Sequence, residues 1–217
     1  MAQRGFFITF EGSEGCGKTT QIQRLASRLE RENHKVLVTR EPGGTDIGEE
    51  IKHLLQFSRV GATMTAETEL LLFAASRAQL VRERVEPALR EGAIVLSDRF
   101  LDSTTVYQGV ARRLDAAAVK MMNDFAVGGC RPDLTFVLDL DPRLARERML
   151  CRTRSGKGPA DRMEQQPLDF YDAVRDGYLA LAAAESARVR VIEASHPIEA
   201  IEDEVWRTVG ERLSSSL

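Results

Sequence analysis

Five short apolar runs alternate along the chain with longer segments in which apolar residues recur every three or four positions. The runs are FFITF at residues 6–10, KVLVT at 35–39, AIVLS at 93–97, LTFVL at 134–138 and VRVI at 189–192. Runs of this kind are typical of strands buried on both faces of a parallel sheet. Because helical segments separate them, we expect an α/β fold with a five-stranded parallel sheet and helices on both faces.

The segments between the runs predict the helices. Residues 22–29 place apolar side chains at helical spacing. Thr65 is expected to cap a long helix that begins near Ala66, and Pro87 is expected to kink that helix near its end. The other predicted helices cover residues 46–57, 101–109, 115–127 and 167–185, one opens at Pro142, and a last one follows Pro197.

The loop after the first run carries the clearest chemical signal. Residues 12–19 read GSEGCGKT, which fits the phosphate-binding pattern GxxxxGK[ST] between a strand and a helix. Its glycines let backbone N–H groups point inward, and the helix N-terminus adds positive potential. Lys18 is expected to contact the β- and γ-phosphates of a nucleoside triphosphate, and the Thr19 hydroxyl to reach a magnesium ion. A glycine-rich turn with an exposed lysine is the alternative.

Polar pairs follow the predicted strands. Because ligands bind at the carboxyl ends of parallel strands, we expect these pairs to meet at one edge of the sheet. The pairs are Glu14 with Lys18, Arg40 with Glu41, Asp98 with Arg99, and Ser195 with His196. For Arg40 and Arg99, a surface ion pair with Glu41 or Asp98 is the alternative to phosphate binding.

Composition narrows the function classes. The chain has 217 residues and a formal net charge of −3, so no global positive field recruits nucleic acid or an anionic membrane. Its three cysteines form no CxxC pair, which favours reduced thiols. No apolar run approaches the roughly 20 residues that span a bilayer, and a strand is expected almost at the N-terminus. We therefore expect one cytoplasmic domain over residues 1–217, with neither a secretory signal nor a membrane span.

A phosphate-binding loop alone does not name the reaction. The sequence lacks the NKxD segment with which a GTPase reads its base, and it is too short for a motor or large ATPase. Residues 143–162 are strongly basic and contain a predicted mobile loop, SGKGP at residues 155–159. A lid over about 148–164 and charged strand ends favour a kinase with two phosphate-bearing substrates, which works mainly by positioning and charge neutralisation.

Six motifs, in order, resemble the thymidylate kinase family over nearly the whole chain. They are EGSEGCGKTT at residues 11–20, TREPGGT at 39–45, LFAASR at 72–77, SDRF at 97–100, STTVYQG at 103–109 and DRME at 161–164. The resemblance implies a P-loop NTPase fold and magnesium-dependent transfer of the γ-phosphoryl group of ATP to dTMP. The product is dTDP, a step in dTTP synthesis, and such enzymes are typically homodimers.

The resemblance also implies the site residues. The catalytic set is Lys18, Asp98, Arg99, Arg152 and Arg154, with Thr19 and Asp98 as magnesium ligands. The ATP site comprises Gly12, Ser13, Glu14, Gly15, Cys16, Gly17, Lys18, Thr19, Thr20 and His196. The dTMP site comprises Glu14, Arg40, Glu41, Pro42, Phe73, Arg77, Arg99, Ser103, Thr104, Tyr107 and Gln108.

Several of these residues have a plainer interpretation. By periodicity alone Phe73 is a core residue, whereas the family stacks it on thymine. In isolation Arg77 is a solvated surface arginine, whereas in the family it contacts thymine. Thr104 and Gln108 share a predicted helical face, and Tyr107 resembles the tyrosine that disfavours a 2′-hydroxyl, but all three could simply pack a helix. Glu14 resembles the acid that approaches the 3′-hydroxyl of dTMP.

The phosphate-binding loop has no arginine at its variable positions, residues 13–16, unlike some members of the family. The chain then resembles the subclass whose lid supplies a transition-state arginine. We expect Arg148, Arg152 or Arg154 to reach the phosphates, with Arg152 and Arg154 favoured because they adjoin the loop. The alternative is a solvated helix face with Arg–Glu pairs.

Two other functions stay open at this point. One is a nucleoside or nucleotide kinase with a different acceptor, which Phe73, Arg77 and Thr104 argue against. The other is a nucleotide-dependent binding module that has lost phosphoryl transfer, which intact Lys18 and Thr19 argue against.

Overall fold

The computed structural model describes residues 4–58, 61, 63–154 and 162–215, with residues 152–154 and 215 as backbone only. Within these ranges five strands form one parallel sheet in the order β2-β3-β1-β4-β5. The strands are β1 Phe7–Glu11, β2 Val36–Arg40, β3 Ile94–Asp98, β4 Leu134–Asp139 and β5 Val189–Glu193. The five predicted strands are confirmed, and the boundaries differ by one residue at most ends.

The described helices follow the predicted segments. They are α1 Lys18–Arg31, α2 Asp46–Gln56, α3 Ala66–Leu80, α4 Glu86–Arg90, α5 Leu101–Thr104, α6 Ala116–Val127, α7 Pro142–Arg154, α8 Leu168–Ala184 and α9 Ile198–Ser215. Thr65 caps α3 as predicted, because its Oγ1 accepts a hydrogen bond from the Thr68 N–H at 3.2 Å. None of the helices in the described ranges is long and apolar enough to cross a membrane.

Two helices are widened by a π turn. Residues Val81–Val85 form one such turn between α3 and α4, directly before Pro87. Pro87, which was predicted to kink the helix, lies in the first turn of α4, where its missing N–H costs least. The second π turn, Thr105–Ala111, extends α5 to Ala111, two residues beyond the predicted end.

The core lies on both faces of the sheet, as the apolar strands require. Alternate residues of β1 point in opposite directions. Ile8 and Phe10 pack in a cluster with α1 and α9, whereas Phe7 packs in a cluster with the helical segment of residues 80–89. A third cluster joins β4 to α8 and to the π turn after α5. Helices on both faces therefore fix the sheet, and its carboxyl edge carries the loops described next.

Candidate active site

The phosphate-binding loop is packed so tightly that its glycines are required. Gly12 and Gly15 both have positive φ angles, 128° and 79°. A Cβ at Gly12 would lie 2.6 Å from the Leu138 carbonyl oxygen, and one at Gly15 would lie 2.7 Å from that of Ala145. A larger residue at either position would push the loop off β4 or α7.

Lys18 lies inside this loop, 7% exposed. Its Nζ donates to the carbonyl oxygens of Gly12 at 3.1 Å and Ser13 at 2.9 Å, and contacts Cys16 Sγ at 3.7 Å. The alternative of a turn with an exposed lysine is therefore wrong. The loop instead holds a cation among its own carbonyls, at the N-terminus of α1.

A cleft of about 570 Å³ opens beside the loop. On its wall the Thr19 hydroxyl donates to Asp98 Oδ2 at 2.7 Å, which joins the start of α1 to the end of β3. Most of the residues predicted for the triphosphate line it: Glu14, Gly15, Gly17, Lys18, Thr19, Thr20, Asp98, Arg99 and Arg148.

Glu14 and Arg99 join two parts of the site. Arg99 Nη2 donates to Glu14 Oε1 at 2.8 Å, and the Tyr107 hydroxyl donates to Glu14 Oε2 at 3.0 Å. Burial opposes ionisation of Glu14, but the positive charges of Arg99 and Lys18 outweigh it and hold the pKa of Glu14 below its ordinary value. Arg99 therefore pairs with Glu14, and the expected alternative, a surface pair with Asp98, is wrong.

A buried carboxylate, Glu11, supports Arg99 from below. Arg99 has a left-handed backbone, with φ of 70°. The next N–H, that of Phe100, donates to Glu11 Oε1 at 2.8 Å, and the Ser103 hydroxyl donates to Glu11 Oε2 at 2.5 Å. Ser103 also accepts from Arg99 Nη1 at 3.1 Å, and Tyr178 donates to Glu11 Oε2 at 2.9 Å. Glu11 thus holds both the backbone after Arg99 and a partner of its side chain.

A second, narrower pocket adjoins the cleft and shares Glu14 and Arg99 with it. Phe73 lines this pocket and is only half-buried, so the core interpretation of that side chain is wrong. Most of the residues predicted for dTMP line it: Glu14, Glu41, Pro42, Phe73, Arg99, Ser103, Thr104, Tyr107 and Gln108. The predicted common face of Thr104 and Gln108 is confirmed.

Arg77 lines neither the cleft beside the phosphate-binding loop nor the second pocket. It is 1% exposed, so the surface interpretation is wrong. Its guanidinium donates to Glu41 Oε2 at 2.8 Å, to Asn123 Oδ1 at 2.9 Å and to Thr104 Oγ1 at 2.9 Å. The other oxygen of Glu41, Oε1, is buried and has no partner within the described residues. Arg77 therefore fixes two pocket residues, Glu41 and Thr104, from behind.

Two of the predicted polar pairs lie farther from the cleft. Arg40 is exposed and donates to Glu49 at 2.7 Å, so the alternative pair with Glu41 is wrong. His196 lines a separate cavity of about 370 Å³, which it shares with Gly15, Cys16 and Arg148 beside the phosphate-binding loop. Ser195 is exposed and is not among the residues that line this cavity.

The predicted lid, about residues 148–164, is described only at residues 148–154 and 162–164. Arg148 lines both cavities beside the loop and donates to the Ala194 carbonyl at 3.2 Å. The predicted mobile loop at 155–159 lies outside the described residues, as do the side chains of Arg152 and Arg154. Beyond it, Arg162 donates to the Leu55 carbonyl at 2.9 Å.

The sequence predictions missed two buried acids that bond residues of the pockets, Glu11 and Glu69. Glu11 ends an otherwise apolar strand and begins the motif at residues 11–20, and that position was the available signal. Glu69 follows the predicted cap, Thr65, by four residues and so lies in the first turn of α3, yet it is 1% exposed. It precedes Phe73 by four residues and Arg77 by eight, so helical spacing already placed it on the face of the pocket.

Comparisons with known proteins agree with this geometry. A family model described as thymidylate kinase matches residues 10–205. A thymidylate kinase of Afipia carboxidovorans is 45% identical over 99% of this chain and 92% of its own length. A thymidylate kinase of Deinococcus radiodurans is also 45% identical, over 96% of this chain and 98% of its own length. A crystal structure of thymidylate kinase from Ehrlichia chaffeensis superposes with a TM-score of 0.75 at 32% identity, covering 95% of this chain and 99% of that one. The chain belongs to the thymidylate kinase family.

Proposed function

We propose that this protein transfers the γ-phosphoryl group of ATP to dTMP, giving ADP and dTDP, a step in dTTP synthesis. The observation that carries the proposal is the pair Glu14–Arg99, which lines both the phosphate cleft and the pocket that contains Phe73. A donor phosphate in the cleft and an acceptor phosphate at the mouth of the pocket would meet at Arg99. Phosphoryl transfer needs two phosphates held in line, with their charge neutralised.

On the donor side, the backbone N–H groups of the loop and Lys18 hold the β- and γ-phosphates. To reach them, the ammonium group of Lys18 leaves the carbonyls of Gly12 and Ser13, which are neutral and weaker partners. His196, at the rim of the neighbouring cavity, borders the adenine.

Thr19 and Asp98 fit a magnesium ion. Both present hard oxygen ligands, already in contact at 2.7 Å, on the wall of the cleft. No cluster of three or more His, Cys, Asp or Glu side chains suited to a metal occurs in the described ranges. Magnesium needs no such cage, because it commonly uses one or two protein oxygens together with water and substrate phosphates. When bound, it neutralises negative charge on the β- and γ-phosphate oxygens.

On the acceptor side, Phe73 stacks on the thymine ring, while Thr104 and Gln108 bond its edge. Glu14 accepts from the 3′-hydroxyl, and Tyr107, fixed to Glu14 at 3.0 Å, leaves no room for a 2′-hydroxyl. Arg99 and Arg40 approach the acceptor phosphate. Arg77 contributes indirectly, by holding Glu41 and Thr104, and donates to a base carbonyl if the network opens.

The lid supplies the remaining positive charge. No residue at positions 13–16 is basic, so the charge on the migrating phosphoryl group requires another source besides Lys18 and magnesium. Arg152 and Arg154 fill this role from the end of α7, with Arg148 already beside the cleft.

We further propose a homodimer that works in the cytoplasm. Large apolar side chains are exposed on neighbouring helices: Phe125 at 80% and Met121 at 64% on α6, and Leu71 at 55% on α3. Burying such side chains between two copies would remove apolar surface from water. Light scattering of the purified protein measures the mass directly, and a monomer at micromolar concentration would refute the dimer.

The proposed reaction is tested by measuring ADP release with a panel of nucleoside monophosphates. dTMP should give the highest kcat/KM, and release without an acceptor should be far slower. Removal of magnesium with a chelator should abolish turnover. A higher kcat/KM for another acceptor would refute the substrate, and release that is independent of any acceptor would refute the kinase itself.

A further inference from the structure

Glu69 is a buried carboxylate that touches the acceptor pocket only through another residue. It lies in the first turn of α3, one helical turn before Phe73, and its side chain is 2% exposed. Gln108 Nε2 donates to Glu69 Oε1 at 2.7 Å. Gln108 lines the pocket, whereas Glu69 does not.

Two arginines keep this carboxylate ionised and fixed. Arg112 donates to both Glu69 oxygens, at 3.3 and 3.4 Å, and Arg162 donates to Oε2 at 2.5 Å. Burial works against the charge, but the bond from Gln108 and the two guanidinium groups outweigh it, so the pKa of Glu69 lies below its ordinary value. Arg162 also bonds the Leu55 carbonyl, which ties α2 to the same cluster.

An ionised carboxylate can only accept hydrogen bonds, so it decides which end of a neighbouring amide faces it. The NH₂ group of Gln108 must point at Glu69. The amide oxygen, at the other end of the amide, is then the acceptor that Gln108 offers a ligand in the pocket, while its second N–H stays on the side of Glu69. Without Glu69, the amide could turn over and present its NH₂ group instead.

We propose that Glu69 is a positioning residue that sets the base specificity of the pocket by fixing the amide of Gln108 with its oxygen toward the ligand. This inference rests on the proposed function. A pyrimidine with N3–H, such as thymine, donates to that oxygen. Cytosine has an unprotonated N3, so two acceptors would face each other. A pocket that leaves a buried polar group unpaired discriminates more strongly than one that differs only in shape.

The first test is Glu69→Gln, with ADP release measured against dTMP, dCMP and ATP. The new amide can donate to the Gln108 oxygen and so lets Gln108 turn over. We expect KM for dTMP to rise about 10- to 100-fold, the size of leaving one buried polar group unpaired. The ratio of kcat/KM for dTMP to that for dCMP should fall at least tenfold, while KM for ATP changes less than about threefold. Glu67→Gln, exposed on the same helix, is the matched control and should match the wild type.

The second test restores the acceptor from the other side. In the double variant Glu69→Gln with Gln108→Glu, the new carboxylate accepts from the new amide and again offers only oxygen to the base. The kcat/KM of this double variant for dTMP should be at least tenfold higher than that of Glu69→Gln. A role in folding alone would not produce this recovery, because the double variant changes the cluster more than the single one does.

Each outcome decides something. Folded Glu69→Gln protein with unchanged KM for dTMP and unchanged preference over dCMP overturns the inference, as does a folded double variant no better than the single one. If Glu69→Gln fails to fold, a crystal structure of the wild-type protein with dTMP decides instead: Gln108 must then lie within hydrogen-bond distance of both Glu69 and N3, and absence of either contact overturns the inference. A wild-type protein inactive on dTMP would refute the proposed function, which is a different failure from active wild type with no effect at Glu69.

Discussion

Glu11 makes the stability of the protein depend on pH in the physiological range. Its carboxyl is fully buried and bonds the Phe100 N–H, the Ser103 hydroxyl and the Tyr178 hydroxyl. Burial and the nearby charge of Asp102 raise the pKa of Glu11 to about 7, against lowering contributions from its hydrogen bonds and from Arg99. The ordinary value is 4.5.

The direction of the effect follows from the two pKa values. Below about pH 4.5 the carboxyl is protonated in both the folded and the unfolded chain. Between about pH 4.5 and 7 only the unfolded chain loses the proton, so the free energy of unfolding falls as pH rises. Above about pH 7 the folded protein ionises too, and the loss levels off. A shift of about 2.5 units corresponds to roughly 3.4 kcal/mol in total, of which about 2.5 kcal/mol falls between pH 5 and 8.

The variant Glu11→Gln isolates this effect. Its amide oxygen can still accept from the Phe100 N–H, and the Ser103 and Tyr178 hydroxyls can turn to accept from its NH₂ group. Urea unfolding of both proteins from about pH 5 to 8 gives the difference in free energy of unfolding, in which the titrations of groups that do not interact with Glu11 cancel. Relative to the variant, the wild type should lose about 2.5 kcal/mol across this range. Curves that stay parallel within about 0.5 kcal/mol would refute a raised pKa at Glu11.

Three further predictions concern the proposed reaction. Lys18→Ala should remove most turnover and leave the circular dichroism spectrum intact; near-normal turnover in the folded variant contradicts the role of Lys18. Arg77→Ala should cost about 1–3 kcal/mol in urea unfolding, because the buried oxygens of Glu41, Asn123 and Thr104 lose the donor that they share. Burial already raises the pKa of Glu41 to about 7, so its carboxyl takes up a proton when Arg77 is removed. The variant should also raise KM for dTMP about 10- to 100-fold with little change for ATP; unaltered stability would contradict the buried network. Alanine at Arg148, Arg152 and Arg154 together should lower kcat by about 10³ or more. If kcat stays within about threefold, less than 1 kcal/mol of barrier, the charge comes from elsewhere.

The strands and most helices could be predicted because local pattern and global fold agree in this chain. All five strands were expected to be buried on both faces, which holds for β1, β3 and β4, whereas the edge strands β2 and β5 leave Val38 and Val191 exposed. The glycine-rich loop fixes where the first strand ends and α1 begins. The hydrophobic pattern could not predict the π turn at Val81–Val85, because a wider turn changes the helix period by less than the pattern can resolve. Pro87, two residues after this turn, was visible, but the sequence could not say whether the helix would bend, break or widen near it.

The pocket residues could be located, but their partners could not. Thr104 and Gln108 lie four residues apart on one helical face, and Phe73 lies on the apolar face of α3, so helical spacing alone could locate all three. The pairing of Arg77 with Glu41 and of Arg99 with Glu14 joins residues 36 and 85 positions apart, which no local pattern encodes. For Arg99 the sequence offered only the adjacent acid, Asp98, as an alternative to phosphate, and for Arg77 it offered no acid, because adjacency along the chain was the only evidence of proximity.

A carboxylate beside a phosphate cleft is costly unless another charge offsets it. For Glu14 the offset comes from Arg99, at 2.8 Å, and from Lys18, and Tyr107 donates a further bond. The acid therefore adds little net repulsion, and it keeps the guanidinium in one orientation before any phosphate arrives. In the proposed complex, an acceptor phosphate at Arg99 would compete with Glu14 for the same donors, which would free a carboxylate oxygen for the sugar hydroxyl. Placement of the phosphate and placement of the sugar would then be coupled, because the phosphate replaces Glu14 at Arg99 and the sugar replaces Arg99 at Glu14.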